Sequence, residues 1–504
     1  MSTKGCHGLI DRIRNKSLRQ KIITAQAAAA MIQDGMKVAT SGFTPSGYPK
    51  AVPMALVERV RRTGESLKID IFTGASTGDE LDELLAVHGL IARRFPYQTS
   101  NALRKGINAG EVMYADMHLS HAPQFVDYGF WGEIDLAVIE AAAITEEGHL
   151  VPTTSVGISP TFVKHARKVI VEINLSQPLE MEGIHDIFIP ENPPMRRPIQ
   201  ILRVFDRIGR PYIEIAPEKI AGIVITDIPD GVKDFAPVKE THRRIARNLI
   251  DFFEKEVSQG RMGKSLGPLQ SGVGSVANAV LSGLLDSDFE NLVMYTEVIQ
   301  DAVLDLIDSG KVTFASGCSL TPSPKGVKRL YRDFSRYKEK ILLRPQEISN
   351  HPEVIRRLGV ISMNTAIEVD IFGNVNSTHQ MGSHIMNGIG GSGDFTRNSA
   401  LSIFTTESIA KSGNISCVVP MVSHCDHTEH DVDIIVTEQG LADLRGLAPV
   451  ERARRIIENC AHPDYRQKLW DYLDKGLKEG GGHTPIHLEQ ALSWHQRFIR
   501  EGHM

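Results

Sequence analysis

Short β-branched runs alternate along the chain with stretches whose apolar residues recur at helical spacing. Lys37-Val-Ala-Thr, Leu67-Lys-Ile-Asp-Ile-Phe-Thr, Ile134-Asp-Leu-Ala-Val-Ile-Glu and Lys168-Val-Ile-Val-Glu are the clearest of the strand-like runs. This alternation predicts an α/β fold built from βαβ units with mainly parallel sheets. The run Ile22 to Met31 follows a basic stretch (Arg12, Arg14, Lys16, Arg19, Lys21) as a signal peptide would, but Gln26 interrupts it and Gln33-Asp34-Gly35 follows. A short helix ended by glycine is the expected outcome. Gln177 to Pro217 is rich in proline and arginine and reads as an excursion or an inter-domain crossover, after which the apolar spacing of Thr241 to Val257 predicts a helix that opens a second half. No run of about 18 apolar residues occurs, so no membrane span is expected.

The two halves read as degenerate copies. Gly148-x4-Thr153-x3-Gly157 has the same form as Gly373-x4-Thr378-x3-Gly382, and each follows an acid-bearing apolar run, Asp135 to Glu140 in one case and Ile367 to Phe372 in the other. Upstream, Ile69-Asp-Ile-Phe-Thr73 followed by Gly74 resembles Leu292-Val-Met-Tyr-Thr296 followed by Glu297, with glycine loops Ser41-Gly42 and Ser271-Gly272 preceding them. The copies differ in two places. A strand-end glycine in one is Glu297 in the other, and the 15 residues from Gly157 to Glu172 compare with 56 from Gly382 to Glu438. The longer interval contains Gly388-Ile-Gly-Gly-Ser-Gly-Asp-Phe395. Ligands in open α/β sheets bind beyond the carboxyl ends of strands, so both differences fall where chemistry is expected.

Composition narrows the function classes. The 504 residues carry 61 acidic and 56 basic groups, a net charge of −5 that gives no reason to expect a nucleic-acid partner. Cys6, Cys318, Cys417, Cys425 and Cys460 contain no CxxC pair, so neither a disulfide framework nor a zinc ribbon is supported, and a reducing cytoplasm fits. Gln270-Ser-Gly-Val-Gly-Ser-Val-Ala-Asn278 leads into a helix and offers backbone N–H groups to a ligand. Its Gly272-x-Gly274-x-x-Ala277 spacing also satisfies a dinucleotide fingerprint, with Glu297 near the position of a ribose-binding acid, so an NAD-dependent dehydrogenase is one reading. Against it, Leu266-Gly-Pro-Leu-Gln is a poor first strand. Gly388-x-Gly390-x-x-Gly393 follows no buried strand, but its glycines leave N–H donors open in the form an oxyanion hole requires. His424-Cys-Asp-His427-Thr-Glu-His430 has the content of a metal cluster. Residues so close in sequence do not by themselves make a tetrahedron, so hydrogen-bonded loop residues and no metal are expected.

At Gln270-Ser-Gly-Val-Gly, Met294-Tyr-Thr-Glu-Val-Ile-Gln-Asp301, Gly388 to Phe395 and Thr437-Glu-Gln-Gly-Leu-Ala-Asp-Leu-Arg-Gly446 the chain closely resembles the acetyl-CoA hydrolase/transferase family. The likeness runs from Ser41-Gly-Phe-Thr-Pro-Ser-Gly-Tyr-Pro-Lys50 to Leu492-Ser-Trp-His-Gln-Arg-Phe498.

The resemblance implies two related CoA-transferase-type α/β domains, residues 1–230 and 231–504, the second carrying the catalytic glutamate, with the active site between them and a homodimer as the usual assembly. It implies transfer of CoA between succinyl-CoA and acetate or propionate, with acyl-CoA and short-chain carboxylates as the only partners and no cofactor beyond CoA itself. Glu297 matches the family's nucleophile, and Val273 and Gly391 match positions whose N–H groups form the oxyanion hole. Asn350 and Glu438 match residues that support the site. Gly272, Val273, Gly274, Ser275 and Val276, with Ile367, Asn387, Gly391 and Lys411, fall where relatives contact CoA. Where some relatives carry an arginine after the run Ile223-Val-Ile225-Thr-Asp227, this chain has Gly231. An acyl-CoA hydrolase of the same fold is the nearest alternative, and a non-catalytic CoA-sensing protein is a distant one.

Overall fold

The computed structural model describes residues 11–504, so Cys6 lies outside the described residues. The chain forms two compact units. Unit 1 runs up to Asp234 and takes in Met294–Leu304 and Phe314–Val354, and unit 2 comprises Phe235–Val293, Asp305–Thr313 and Ile355–Met504. The units are therefore discontinuous in sequence, and the segment bearing Glu297 belongs to unit 1.

Unit 1 is organised on a seven-stranded parallel sheet in the order Met113–Tyr114, Ile91–Phe95, Ile69–Phe72, Lys37–Thr40, Leu136–Ala141, Lys168–Asn174, Ile220–Thr226. The chain starts in the middle, winds to one edge, returns to pair Val38 with Leu136 and winds to the other. A doubly wound sheet reverses in this way at its switch point. Leu136–Ala141 is buried throughout because helices cover both faces of such a sheet, which is why it reads as a continuous apolar run. The helix within Ile22 to Met31 is only Ala25–Ala29, begun by the Thr24 hydroxyl accepting the Ala27 N–H at 3.1 Å. Gln177 to Pro217 connects two neighbouring strands of this one sheet, so it is an excursion and not an inter-domain crossover.

In unit 2 the helix Glu240–Ser258 forms where its apolar spacing predicts one, burying Ile245, Leu249 and Phe253. Leu269–Ser271, Ile361–Thr365, Leu401–Thr405 and Ile434–Thr437 pair in parallel in that order, and Gly440–Asp443 closes the edge antiparallel. Phe404, Ile435, Ile456, Leu469 and Trp494 share one apolar core with the helices Pro449–Cys460 and Pro463–Lys475.

The repeat is real but its register differs from the sequence reading. Gly148 and Gly373 each turn a short hairpin, Ala143–Ile144 with Leu150–Val151 and Glu368–Asp370 with Val375–Asn376, at φ 97° and 99°. The acid-bearing run before the first hairpin is a main-sheet strand, whereas Ile367 to Phe372 lies in the second hairpin itself. The main-sheet counterpart of Leu136–Ala141 is Ile361–Thr365. Downstream, Gly157 stands two residues before helix Ser159–His165, and Gly390 two before helix Ser392–Asn398, at φ 54° and 58°. Gly157 thus corresponds to Gly390, not Gly382. The sheet strand after that helix is Leu401–Thr405, the counterpart of Lys168–Asn174, so most of the extra distance to Glu438 is the segment between Thr405 and strand Ile434–Thr437.

Candidate active site

Glu297 lies just past the carboxyl end of strand Leu292–Tyr295 and two residues after Tyr295, whose side chain is buried. Its backbone is fixed on both sides. The Thr296 N–H donates to the Ser316 carbonyl at 2.9 Å, and the Glu297 carbonyl accepts the N–H groups of Cys318 and Ser319 at 2.7 and 3.0 Å. Gly317 makes room for this, since a Cβ there would stand 3.3 Å from the Glu297 carbonyl oxygen.

The Glu297 side chain is half-buried, and its chain neighbour Val298 belongs to the unit 1 apolar cluster of Phe43, Ala75, Leu119, Val298 and Cys318. Asn350 Nδ2 donates to Glu297 Oε1 at 2.7 Å. Asn350 is fully buried at the end of the turn Gln346–Ser349, and the Ser349 hydroxyl, 2.8 Å from Asn350 Oδ1, orients the amide so that its NH₂ faces the glutamate. Desolvation pushes the Glu297 carboxyl up to about 7, against a smaller lowering by Asn350. The nearby Cys318 thiol is buried, and burial holds its pKa far above the usual thiol range, so it stays protonated.

Three glycines that sequence reasoning did not join converge in unit 1. A Cβ on Gly74 would lie 2.6 Å from the Gly42 carbonyl oxygen, 3.0 Å from Gln346 Oε1 and 3.0 Å from the Gly157 Cα. The position that matches Glu297 in the first copy therefore has no space for a side chain. The strand-end pattern that revealed the difference between copies held this signal, but only the folded chain shows that Gly42 closes the position.

Unit 2 gathers its own candidates at the carboxyl ends of successive parallel strands. Gly272 to Val276 follow Leu269–Ser271, Ile367 follows Ile361–Thr365 and Glu438 follows Ile434–Thr437, while Lys411 stands in the turn of the small hairpin Ile409–Ala410 with Ile415–Ser416. The Gly272 N–H donates to the Met363 carbonyl at 3.0 Å, which leaves Val273 at the crest of the loop, 53% exposed. Gly274, at φ 130°, opens the helix Ser275–Leu285. Gly391 caps the helix Ser392–Asn398, and Asn387 lies half-buried just upstream. The backbone N–H groups of Val273 and Gly391 have no acceptor among the described residues. Gln270 and Thr396 both bond Asn364, which ties the strand leading into one glycine loop to the helix Ser392–Asn398 through strand Ile361–Thr365.

Glu438 is buried and accepts the Ser408 N–H at 2.8 Å, the Ser408 hydroxyl and Gln439 Nε2 at 2.9 Å. Burial alone would raise its pKa, but these donors outweigh it and hold the carboxyl below its ordinary value. Glu438 is thus a permanently ionised anchor joining two strand ends, unlike Glu297. Lys411 is exposed with its ammonium 4.8 Å from the Phe498 ring centre. In the histidine run, His427 Nε2 lies 3.2 Å from Ser392 Oγ and 3.4 Å from Ser377 Oγ, and His430 is exposed.

The model of the acetyl-CoA hydrolase/transferase N-terminal domain matches residues 9–225, and that of the C-terminal domain matches residues 326–473. A succinyl-CoA:acetate CoA-transferase of Clostridium kluyveri is 57% identical over 98% of this chain and 92% of its own length. An acetyl-CoA hydrolase of Schizosaccharomyces pombe is 47% identical over 98% of both chains. Among solved structures, RipA from Yersinia pestis superposes with a TM-score of 0.72 at 24% identity, covering 92% of this chain and 98% of that one, which shows the shared fold. Here the glutamate loop, the glycine loops and the doubly wound topology sit in a chain matched almost end to end by enzymes that act on acyl-CoA. This chain belongs to the acetyl-CoA hydrolase/transferase family.

Proposed function

We propose that this enzyme moves CoA from succinyl-CoA to a short carboxylate, acetate or propionate, with Glu297 as the nucleophile. The observation that carries the reading is a glutamate with a fixed backbone, whose carboxylate is desolvated enough to titrate at about 7 and is held by one oriented amide. A carboxylate is a weak nucleophile toward thioesters in water. Partial removal of its solvent and fixed orientation are what make it competent.

In the proposed sequence a Glu297 oxygen attacks the succinyl thioester carbonyl, and the oxyanion so formed is met by the N–H groups of Val273 and Gly391. CoA thiolate leaves, producing a mixed anhydride, and then attacks the Glu297 carbonyl to expel succinate and form a glutamyl thioester. Acetate attacks that thioester, and the returning thiolate takes the acetyl group and frees Glu297. Asn350 holds the carboxylate throughout, and Glu438 fixes the strand ends beneath the CoA loops. The segment Gly272 to Val276, with Ile367, Asn387, Gly391 and Lys411, contacts CoA. Each oxyanion donor contributes about 3–4 kcal/mol to the barrier reduction. The steps use no metal or redox cofactor. The reading extends to a cytoplasmic location, on the strength of the cysteine usage, and to a homodimer, on the strength of the family resemblance.

Hydrolysis is the second reading, favoured by the name of the Schizosaccharomyces pombe relative. It differs only in that water takes acetate's place at the glutamyl thioester or the anhydride. The deciding assay supplies succinyl-CoA with and without acetate and follows acetyl-CoA and free CoA separately. Acetyl-CoA formed in step with succinate supports transfer. Free CoA released at the same rate whether or not acetate is present would overturn it.

A further inference from the structure

Thr378, two residues past the second hairpin, touches two other side chains that share a chemistry. Its hydroxyl oxygen lies 2.8 and 2.9 Å from the two carboxylate oxygens of Asp426 and 2.6 Å from His379 Nδ1. A carboxylate only accepts, so the single hydroxyl proton goes to Asp426, and His379 Nδ1–H donates to the threonine oxygen. That fixes the tautomer of His379 and leaves the lone pair on its Nε2. Asp426 is held from the other side by the Ser377 N–H at 2.6 Å. His424 completes the group. Its Nε2 is 3.3 Å from Asp426 Oδ1, and its ring centre is 3.8 Å from that of His379.

One ligand atom from each of His379, His424 and Asp426 lies within 4.8 Å of the others. Two ligands on one tetrahedral zinc ion, each about 2.0–2.1 Å from the metal, stand about 3.3 Å apart. The His424–Asp426 pair already has that separation. The histidine run was expected to hold no metal because its members are too close in sequence to converge. The fold changes that argument by supplying His379 from 45 positions upstream of His424.

We propose that His379, His424 and Asp426 form a binding site for a borderline divalent transition metal of the Zn²⁺ class, with water in the fourth position. Two imidazoles and one carboxylate suit such an ion, whereas Ca²⁺ and Mg²⁺ require oxygen ligands. Thr378 is the orienting partner that metal-bound histidine and carboxylate ligands ordinarily have. The His424 side chain is 39% exposed, which gives an ion access from solvent. None of the three ligands is among the residues assigned to the proposed transfer chemistry, and the site does not depend on it.

The test uses the full chain stripped with EDTA and titrated with Co²⁺, whose visible bands report tetrahedral coordination, and with Zn²⁺ followed by elemental analysis. About one ion per chain is expected, with a rise in Tm on loading. His379→Gln and His424→Gln should each weaken binding at least tenfold. Thr378→Val, which keeps all three ligands, should weaken it about tenfold through loss of orientation. His430→Gln, in the same run but outside the group, should leave it unchanged. Equal Tm values for the variants and wild type in EDTA will show that each is folded. Absence of Co²⁺ and Zn²⁺ uptake by the wild type, or uptake lost in His430→Gln but kept in His379→Gln, would overturn the site.

Discussion

Two demands on Glu297 oppose each other. In the proposed mechanism it must be ionised to attack, yet the desolvation that would sharpen it as a nucleophile favours its protonated form. With a pKa of about 7, kcat/KM for the acyl-CoA should fall tenfold per pH unit below neutrality and level off above it. Asn350→Ala removes the group that lowers this pKa, so the acid limb should move to higher pH while kcat falls about 10- to 100-fold. An unmoved limb would show that Asn350 does not govern the ionisation. Glu297→Ala should cost at least three orders of magnitude in kcat, since no other nucleophile stands ready.

The same burial has a sign in stability. The folded state holds the Glu297 proton more tightly than the unfolded chain, so its contribution to stability falls as pH rises from about 4.5 to about 7. Glu297→Gln should therefore stabilise the protein by about 2 kcal/mol at pH 8, once partial solvent access is allowed for, and by nothing measurable at pH 4.5. Denaturant titrations at the two pH values check this.

Among the elements, the loops that follow parallel strands are where the sequence spoke most clearly. The strand-end glutamate and the glycine loops were legible because βαβ periodicity and turn chemistry are local properties. What the sequence did not reveal is register across the repeat. Gly157 matches Gly382 in spacing, yet it occupies the place of Gly390, because insertions in loops change spacing without changing topology. Nor could spacing show that His379 meets His424, or that Gly42 closes the space above Gly74. Gly74→Ala tests the last point. Its Cβ would lie 2.6 Å from a backbone carbonyl that cannot rotate away, so a loss of about 1–3 kcal/mol in unfolding free energy is expected.

Unit 1 also buries a charged group whose pairing sequence reasoning did not find. Lys50, fully buried, donates to Glu140 and Asp230 at 2.5 and 2.8 Å, while Glu172 accepts the backbone N–H groups of Lys50, Ala51 and Val52. Desolvation pushes Glu140 up to about 7 even against Lys50. Lys50→Met should cost about 3–5 kcal/mol by leaving both acids unpaired, and Lys50→Met with Glu140→Gln should recover part of that loss.

For the whole molecule, isotopes distinguish the transfer sequence from its rival. In the proposed sequence Glu297 retains an oxygen from acetate after one turnover, so ¹⁸O-acetate should label succinate over repeated turnovers in unlabelled water. Succinate that gains its label only from H₂¹⁸O would point to hydrolysis instead. The duplicated architecture could have held two carboxylates, one for each acid, but the Gly42 carbonyl fills the space a side chain on Gly74 would need. In the proposed transfer, donor and acceptor acids then take turns at a single carboxylate. High acetate should slow the first half of the cycle by occupying the place succinyl-CoA requires, high succinyl-CoA should slow the second, and throughput should peak at an intermediate ratio of the two.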